Sequence, residues 1–400
     1  MHAFPEDTVA AASRIEPAWG AVIAMTLGVF GLVTAEFLPA SLLTPIAAEL
    51  AITEGMAGQA VTATALVALV TSLVITAAAG RVDRRKLLLV FSGLLIVSNL
   101  IVALAPGVTW LLFGRVLLGI GLGGFWTMSA AVTMRLVPPV LIPRALSILF
   151  SGVSAATIFA APLGSYLGDL AGWRSVFLMA TGLGVVALVS QYFTLPRMAP
   201  RGVTRLSMLG EVLTRPRVGL GMAMATLVFA GHFAFFTYIR PFLETVTGVG
   251  ISGVSTILLG FGIANFFGTL LAGPLIERSL RLTLTIMPLT MGLLAVALVT
   301  AGNAPLADAM IVAVWGLAFG AVSVAWSTWL TRTVPDQAES AGGLLVAAIQ
   351  LAIAAGAAGG GLIFDTSGVT GVFAASGALL IAAAFIILIG VRSRVAAVAA

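Results

Sequence analysis

Residues 119–138 read GIGLGGFWTMSAAVTMRLVP, and residues 316–335 read GLAFGAVSVAWSTWLTRTVP. Gly119, Gly123, Arg135 and Pro138 of the first stretch meet Gly316, Gly320, Arg332 and Pro335 of the second at one offset of 197. Further out, Gly80-Arg81 meets Glu277-Arg278 at that same offset, while Asp169, Gly172 and Phe177 meet Asp365, Gly368 and Phe373 at 196. Two or three such pairs arise by chance, but a constant offset across half the molecule does not. The chain is built as two copies of one plan.

Composition settles the solvent. Hydrophobic residues make up 60% of the 400 and charged residues 9%, with a mean hydropathy of +1.14. A soluble domain carries about a quarter charged residues, so a chain this poor in charge cannot cover itself with a water-facing surface. There is no cysteine and there are two histidines, which removes disulfides, thiolate chemistry and a histidine-built metal site. No nucleophile and base assemble, so an enzyme is not expected, nor is a cofactor or metal. The pI near 10.6 comes from arginines scattered in short loops, without a basic domain, so nucleic acid is not the expected partner. The lipid bilayer is.

Apolar stretches long enough for about 30 Å of hydrocarbon recur along the whole chain. The expected spans are 19–43, 57–79, 87–105, 109–134, 145–168 and 174–195, then 217–240, 253–276, 282–301, 307–331, 340–364 and 370–391. The expected fold is all-α: twelve transmembrane helices in two pseudo-symmetric six-helix bundles. The bundles are 1–195 and 217–400, joined by an arginine-rich cytoplasmic linker at 196–216. Residues 1–16 lack the basic start and short apolar core of a cleaved signal, so the first span is expected to stay in place.

Basic residues set the orientation. With the N-terminus in the cytoplasm, most of them fall on the inner side, from Arg81, Arg84, Arg85 and Lys86 through Arg135, Arg144, Arg205 and Arg332 to Arg394. The outer loops hold Glu49, Glu54, Asp169, Glu244, Asp308 and Asp365, with Arg174 and Arg240 as the basic exceptions. That asymmetry predicts a multi-pass protein of the bacterial inner membrane with both termini cytoplasmic.

Within the spans two charges sit well below the surface, Glu36 and Arg115. A charge in a span costs roughly 2.5–3.5 kcal/mol on insertion scales and faces a cavity or a partner. Counting 1.5 Å per residue from the expected outer ends puts both roughly 9–12 Å deep, within reach of each other. Pro39 strips the Ala35 carbonyl of its helical donor. Burial favours the protonated acid and a nearby arginine the ionised one, so a carboxylate between those two pushes suits proton coupling. A static ion pair is the plain alternative. In FAGHFAFFTYIRPF (229–242), Phe229, His232, Phe233 and Phe236 share a helical face on which a flat base could stack. His232, Asn265 and Gln350 are candidates to hydrogen-bond such a ligand, against the alternatives of packing aromatics and a carbonyl-bonded histidine. The glycines of GLGGF read as close helix contacts rather than a phosphate loop.

Two parallel halves of six helices are the plan of the major facilitator superfamily, and local motifs resemble it. GRVDRRK (80–86) resembles the family's loop after the second helix, with Arg81, Arg84 and Arg85 in place, Gly80 where an acid is usual, and Asp83 nearby. GPLIERSLR (273–281) is the fuller copy, through Gly273, Glu277, Arg278 and Arg281. Arg115-x-x-x-Gly119-x-Gly121 resembles a fourth-helix motif linked to proton coupling. Gly152 through Ala161-Pro162-Leu163-Gly164 resembles the fifth-helix motif of antiporters, and GWRSVF (172–177) is similar to the drug and sugar exporter branch.

AEFLPASLLTPIA (35–47), LGGFWTMSA (122–130), TMRLVPP (133–139), FFTYIRP (235–241), WSTWLTR (326–332) and DQAESAG (336–342) resemble, more closely, bacterial permeases that export purine ribonucleosides. The resemblance implies proton-coupled export of inosine, guanosine and their analogues by alternating access, by a monomer drawing on the proton gradient. Proton-coupled efflux of sugars or lipophilic drugs is the alternative. It also implies that Trp126 and Trp326, in helices that line the family's cavity, contribute to substrate binding, and that the two loop motifs act as conformational latches.

Overall fold

The computed structural model describes residues 16–78, 82–199, 210–211, 213–215, 218–334 and 338–390. Its α-helices are α1 (Trp19–Ser41), α2 (Leu43–Leu50), α3 (Glu54–Ala78), α4 (Arg84–Ala103), α5 (Val108–Arg135), α6 (Ile142–Ala171) and α7 (Trp173–Thr194), followed by α8 (Val218–Thr237), α9 (Ile239–Thr245), α10 (Ile251–Ala301), α11 (Pro305–Thr333) and α12 (Ala338–Gly390). No β-strand occurs among the described residues. Arg81, Arg205 and most of the joining segment at 196–216 lie outside them.

Ten of these helices are long and apolar enough to cross a membrane. Two run to 51 and 53 residues, about 76 and 80 Å at 1.5 Å per residue, far more than about 30 Å of hydrocarbon. Each is broken once. Ser279 (φ −169°, ψ 107°) interrupts α10, and Gly368 (φ 70°, ψ −177°) interrupts α12. Gly368 takes a left-handed φ that disfavours any side chain. So does its repeat partner Gly172 (φ 80°), at the corner between α6 and α7.

The first and seventh apolar stretches depart from the single spans expected at 19–43 and 217–240. Both turn a corner instead, at Leu42 (φ −113°, ψ 11°) and Tyr238 (φ −108°, ψ 15°), and continue as the short helices α2 and α9. Pro45 and Pro241 stand three residues beyond each corner. A proline has no N–H for the carbonyl four residues back, so the helical ladder opens at Ser41 and Thr237. The other helices begin slightly before the expected apolar windows, because backbone hydrogen bonding starts where apolarity has not yet begun; α5, α6 and α11 also end beyond them, whereas α4 and α7 stop slightly short.

α1 packs on α6 and α7, α3 and α4 pack on α5, and α4 also packs on α7; in the second half α10 packs on α11 and α8 on α12. The repeated glycines explain why two of these contacts are close. A Cβ at Gly119 would lie 2.6 Å from the Thr64 carbonyl oxygen, and one at Gly316 would meet the Phe261 carbonyl. One at Gly123 would strike the Ala68 backbone, and one at Gly320 the Asn265 carbonyl. The sequence repeat is therefore a repeat of backbone-to-backbone packing, α5 on α3 and α11 on α10. The halves meet where α3 lies on α12, α6 on α10, and α1 on α8 and α9. Outside, large apolar side chains such as Val70, Phe113, Val186, Leu270 and Leu293 are exposed around the bundle, as suits a surface bathed in lipid.

Candidate functional site

Pro39 lies inside α1, so the Ala35 carbonyl loses its helical partner. That oxygen accepts from Arg115 Nη1 at 2.8 Å. Arg115 also donates through Nη2 to the Glu36 carbonyl at 3.3 Å and through Nε to the Ala60 carbonyl at 3.2 Å. The arginine is fully buried and ties α1, α3 and α5 together through main-chain oxygens. Glu36 is buried too, at 6% exposure. Its carboxylate makes no ion pair within 4.0 Å among the described residues; it accepts from Gln350 Nε2, on α12, at 3.3 Å. Arg115 thus stands beside Glu36 but is held by backbone, which corrects the picture of a direct pair. The carboxylate itself points across the seam between the halves.

Gln350 Oε1 is buried without a partner. A second contact crosses the seam next door, where Phe37 meets Phe236 edge to face at 5.7 Å. Phe236 leads to His232, with the two rings 5.8 Å apart and 19° from parallel. His232 accepts at Nδ1 from the Trp315 indole N–H at 3.1 Å and stacks on Phe319 with centroids 3.3 Å apart. Phe261 stacks on it at 6.1 Å and Phe233 meets it edge-on at 5.0 Å. Phe229 meets Phe319 edge-on at 5.7 Å. The aromatic face of α8 is therefore closed on itself in this state, and the partner of His232 is an indole rather than a carbonyl. Glu36, Gln350, Phe236 and His232 form one connected group.

Other expected residues lie apart from it. Asn265 donates to the Gly316 carbonyl at 3.4 Å. Trp126 is half-buried and stacks on Phe150 at 6.2 Å. Trp326 is fully buried against Trp329, with its indole nitrogen unpartnered. Pro162 lies within α6, and a Cβ at Gly164 would come 2.6 Å from Ser41 Oγ, so α6 needs that glycine to approach α1. Asp83 caps α4, accepting from the Arg85 and Lys86 amides at 2.8 and 3.4 Å and from the Met198 amide at 2.9 Å. Arg85 donates to the Tyr192 carbonyl at 2.5 Å, and Arg281 donates to the Leu388 carbonyl. Each loop motif thus sends an arginine to carbonyls near the end of the last helix of its own half, where the helix dipole favours a cation. Arg84 makes contacts as well. Gly273, Glu277 and Arg278 are exposed.

Sequence reasoning missed a second charged group. Arg240, expected in a loop, is 3% exposed. It donates to Asp169 at 2.8 Å and Glu244 at 2.7 Å, and to the Ser41 carbonyl at 2.7 Å. That carbonyl is the one Pro45 leaves without a helical donor. Thr44 completes the group with a 2.6 Å bond to Glu244. The prolines of α1 and α2 thus free two carbonyls, and each is taken by a buried arginine. This network joins α1, α2 and α6 to α9 at the end of the bundle away from Asp83. Asp365, the repeat partner of Asp169, bridges the halves at the same end, accepting from Thr53 at 3.3 Å. Asp308 is buried as well, bonded to Thr247 at 2.8 Å. Proline-freed carbonyls were the available signal; which arginine reaches them was not.

Comparison with known proteins places this architecture. The chain is 46% identical over 376 residues, 94% of its length and 95% of theirs, to proteins named purine ribonucleoside efflux pump NepI from Salmonella paratyphi B and Salmonella typhimurium. Among solved structures, a D-xylose-proton symporter superposes with a TM-score of 0.73 at 17% identity, covering 92% of this chain and 96% of that one. An inward-facing bacterial homologue of the lysosomal transporter Spinster reaches 0.74 at 15% identity, covering 93% and 96%. At such identities the structures speak for the fold alone. Residues 25–357 match the Major Facilitator Superfamily, and the chain, a multi-pass transporter and not an enzyme, belongs to that family.

Proposed function

We propose that this protein exports purine ribonucleosides, inosine and guanosine among them, in exchange for protons across the bacterial inner membrane. The observation that carries the substrate is the near-full-length match to pumps named for purine ribonucleoside efflux. Ten long helices, two of them broken once, support twelve spans in two six-helix bundles. The arginine-rich loops support cytoplasmic termini. Glu36 is the proton-coupling group: it is buried and lies on the seam between α1 and α12, where a change in its charge bears on how the halves meet. Arg115 positions α1 around it. Phe236 and Gln350 are the substrate-facing groups nearest to it. The Arg240 network is the outer closure, a reading supported by its bonds from α9 to α1, α2 and α6. A neutral aromatic and amide lining suits an uncharged nucleoside and offers no cationic cluster for a phosphate. Transport of radiolabelled inosine in proteoliposomes, with and without an imposed pH gradient, tests the reading. Gradient-driven inosine flux is expected, with inosine monophosphate excluded. Flux of sugars or dyes without any of purines overturns it.

A further inference from the structure

The Gln350 carboxamide is half satisfied. Nε2 faces the Glu36 carboxylate at 3.3 Å, while Oε1 is buried and has no partner. The residue is 5% exposed. A buried acceptor without a donor costs roughly 1–3 kcal/mol, and that cost disappears if a ligand supplies the donor.

The orientation of the amide is dictated by its neighbour. An ionised carboxylate only accepts, so the amide must turn its NH2 toward it; a protonated carboxyl donates and favours the amide oxygen instead. The terminal amide torsion is broad and roughly two-fold, so a half-turn exchanges the two ends without moving α12. Among the described residues, the other buried charges are each bonded elsewhere. Arg115 on α5 is committed to the Ala35, Glu36 and Ala60 carbonyls, and Arg240 on α9 to Asp169, Glu244 and Ser41. His232 on α8 is held by Trp315, Asp308 on α11 accepts from Thr247, the Tyr238 hydroxyl donates to the Ala357 carbonyl, and α3, α4, α6, α7 and α10 bury no charged side chain among the described residues.

We propose that Gln350 is a specificity and coupling residue that converts the protonation of Glu36 into a choice between accepting from and donating to the transported base. With Glu36 ionised, Oε1 is presented to a ligand and selects a base edge bearing an N–H, as in a 6-oxopurine. When a proton arrives, the Glu36 hydroxyl donates to Oε1, the NH2 swings to the ligand, and two N–H groups face each other. Proton entry thereby weakens substrate binding through one amide. Ribose hydroxyls, which donate and accept, are indifferent to the turn.

The inference rests on the purine-exporter reading, and the test separates the two. Binding of inosine and of 1-methylinosine, which lacks the N1–H, is measured on the purified protein from acid to alkaline pH. At alkaline pH the wild type is expected to prefer inosine by about tenfold, one well-made hydrogen bond, and to lose that preference as pH falls. Gln350→Met should bring the ratio to about one at every pH. Glu36→Gln, which keeps the shape of the site, should hold a ratio that no longer varies with pH. A preference that persists in Gln350→Met, or one that still varies with pH in Glu36→Gln, overturns the role of Gln350 while leaving the purine reading standing. A wild type that binds neither nucleoside overturns the purine reading, and the inference with it.

Discussion

Replacing Arg240 by Met isolates the network that sequence reading missed. The guanidinium lies 2.8 Å from Asp169 and 2.7 Å from Glu244 and also satisfies the Ser41 carbonyl. Methionine fills much of the stem's volume and supplies no donor. Removing one partner of a buried pair costs about 3–5 kcal/mol, because the charge left behind has no compensation. The Asp169 side chain is 10% exposed and that of Glu244 24%, so water recovers part of the loss and the lower figure, about 3 kcal/mol, applies. The loss falls on the state in which α9 is docked on α1 and α6. The balance should therefore move on the order of a hundredfold toward a state open at that end, at about 1.4 kcal/mol per factor of ten. Because the chain has no cysteine, a single cysteine at half-buried Phe37 reports the opening, through its rate of modification by a membrane-impermeant maleimide applied to intact cells. The rate should rise steeply in the Arg240→Met background and modestly with Glu244→Gln, which leaves the Asp169 pair intact. An unchanged rate in a variant that is folded and inserted would refute the assignment of this network as the closure.

Glu36→Gln should insert and fold yet lose proton-driven nucleoside export, because it keeps an oxygen for Gln350 but cannot titrate; normal gradient-driven uptake into inverted vesicles would remove Glu36 from the mechanism. Arg115→Met should lower the thermal midpoint even in a Glu36→Gln background, since the arginine is bonded to the Ala35, Glu36 and Ala60 carbonyls and not to the carboxylate. Full rescue by Glu36→Gln would mean that charge pairing dominates after all. His232→Phe should cost about 1–3 kcal/mol of stability by leaving the Trp315 indole N–H without its acceptor, read as a lower unfolding midpoint in detergent. An unchanged midpoint with a sharply raised inosine KM would place the imidazole in contact with substrate instead. A cysteine at Glu49 should react from outside intact cells and one at Arg84 should not; the reverse pattern would invert the topology.

How much of this was legible depended on the reach of the physics involved. Hydrophobic runs report the solvent of each segment directly, so the helical membrane class was readable from sequence. The offsets of 197 and 196 carried the internal symmetry. Gly119 and Gly316 sit where backbones touch, and Gly172 and Gly368 where the chain takes a left-handed φ; no other residue does either job as cheaply, so those letters recur. Pro39 announced a carbonyl without a donor because a proline's missing N–H is a local fact. Counting rise per residue along two helices also brought Arg115 to the depth of Glu36, but not to the Ala35 carbonyl that it binds.

Partner choice did not follow in that way. That Arg115 takes main-chain oxygens rather than the Glu36 carboxylate, and that Gln350 takes the carboxylate, depends on side-chain directions set by three helices packing at once. Arg240 read as an ordinary loop charge because Asp169 lies 71 residues away in sequence, and only the docking of α9 on α6 brings them together. His232 read as a base-stacking candidate because its own helix showed only Phe229, Phe233 and Phe236; the rings that close on it, Phe261 and Phe319, come from α10 and α11. Sequence alone determined what each helix is made of and where its backbone must yield. Tertiary structure alone decided which neighbour satisfies each buried polar group, because that choice is made between segments far apart in the chain, in an interior where an unmet hydrogen bond is costly.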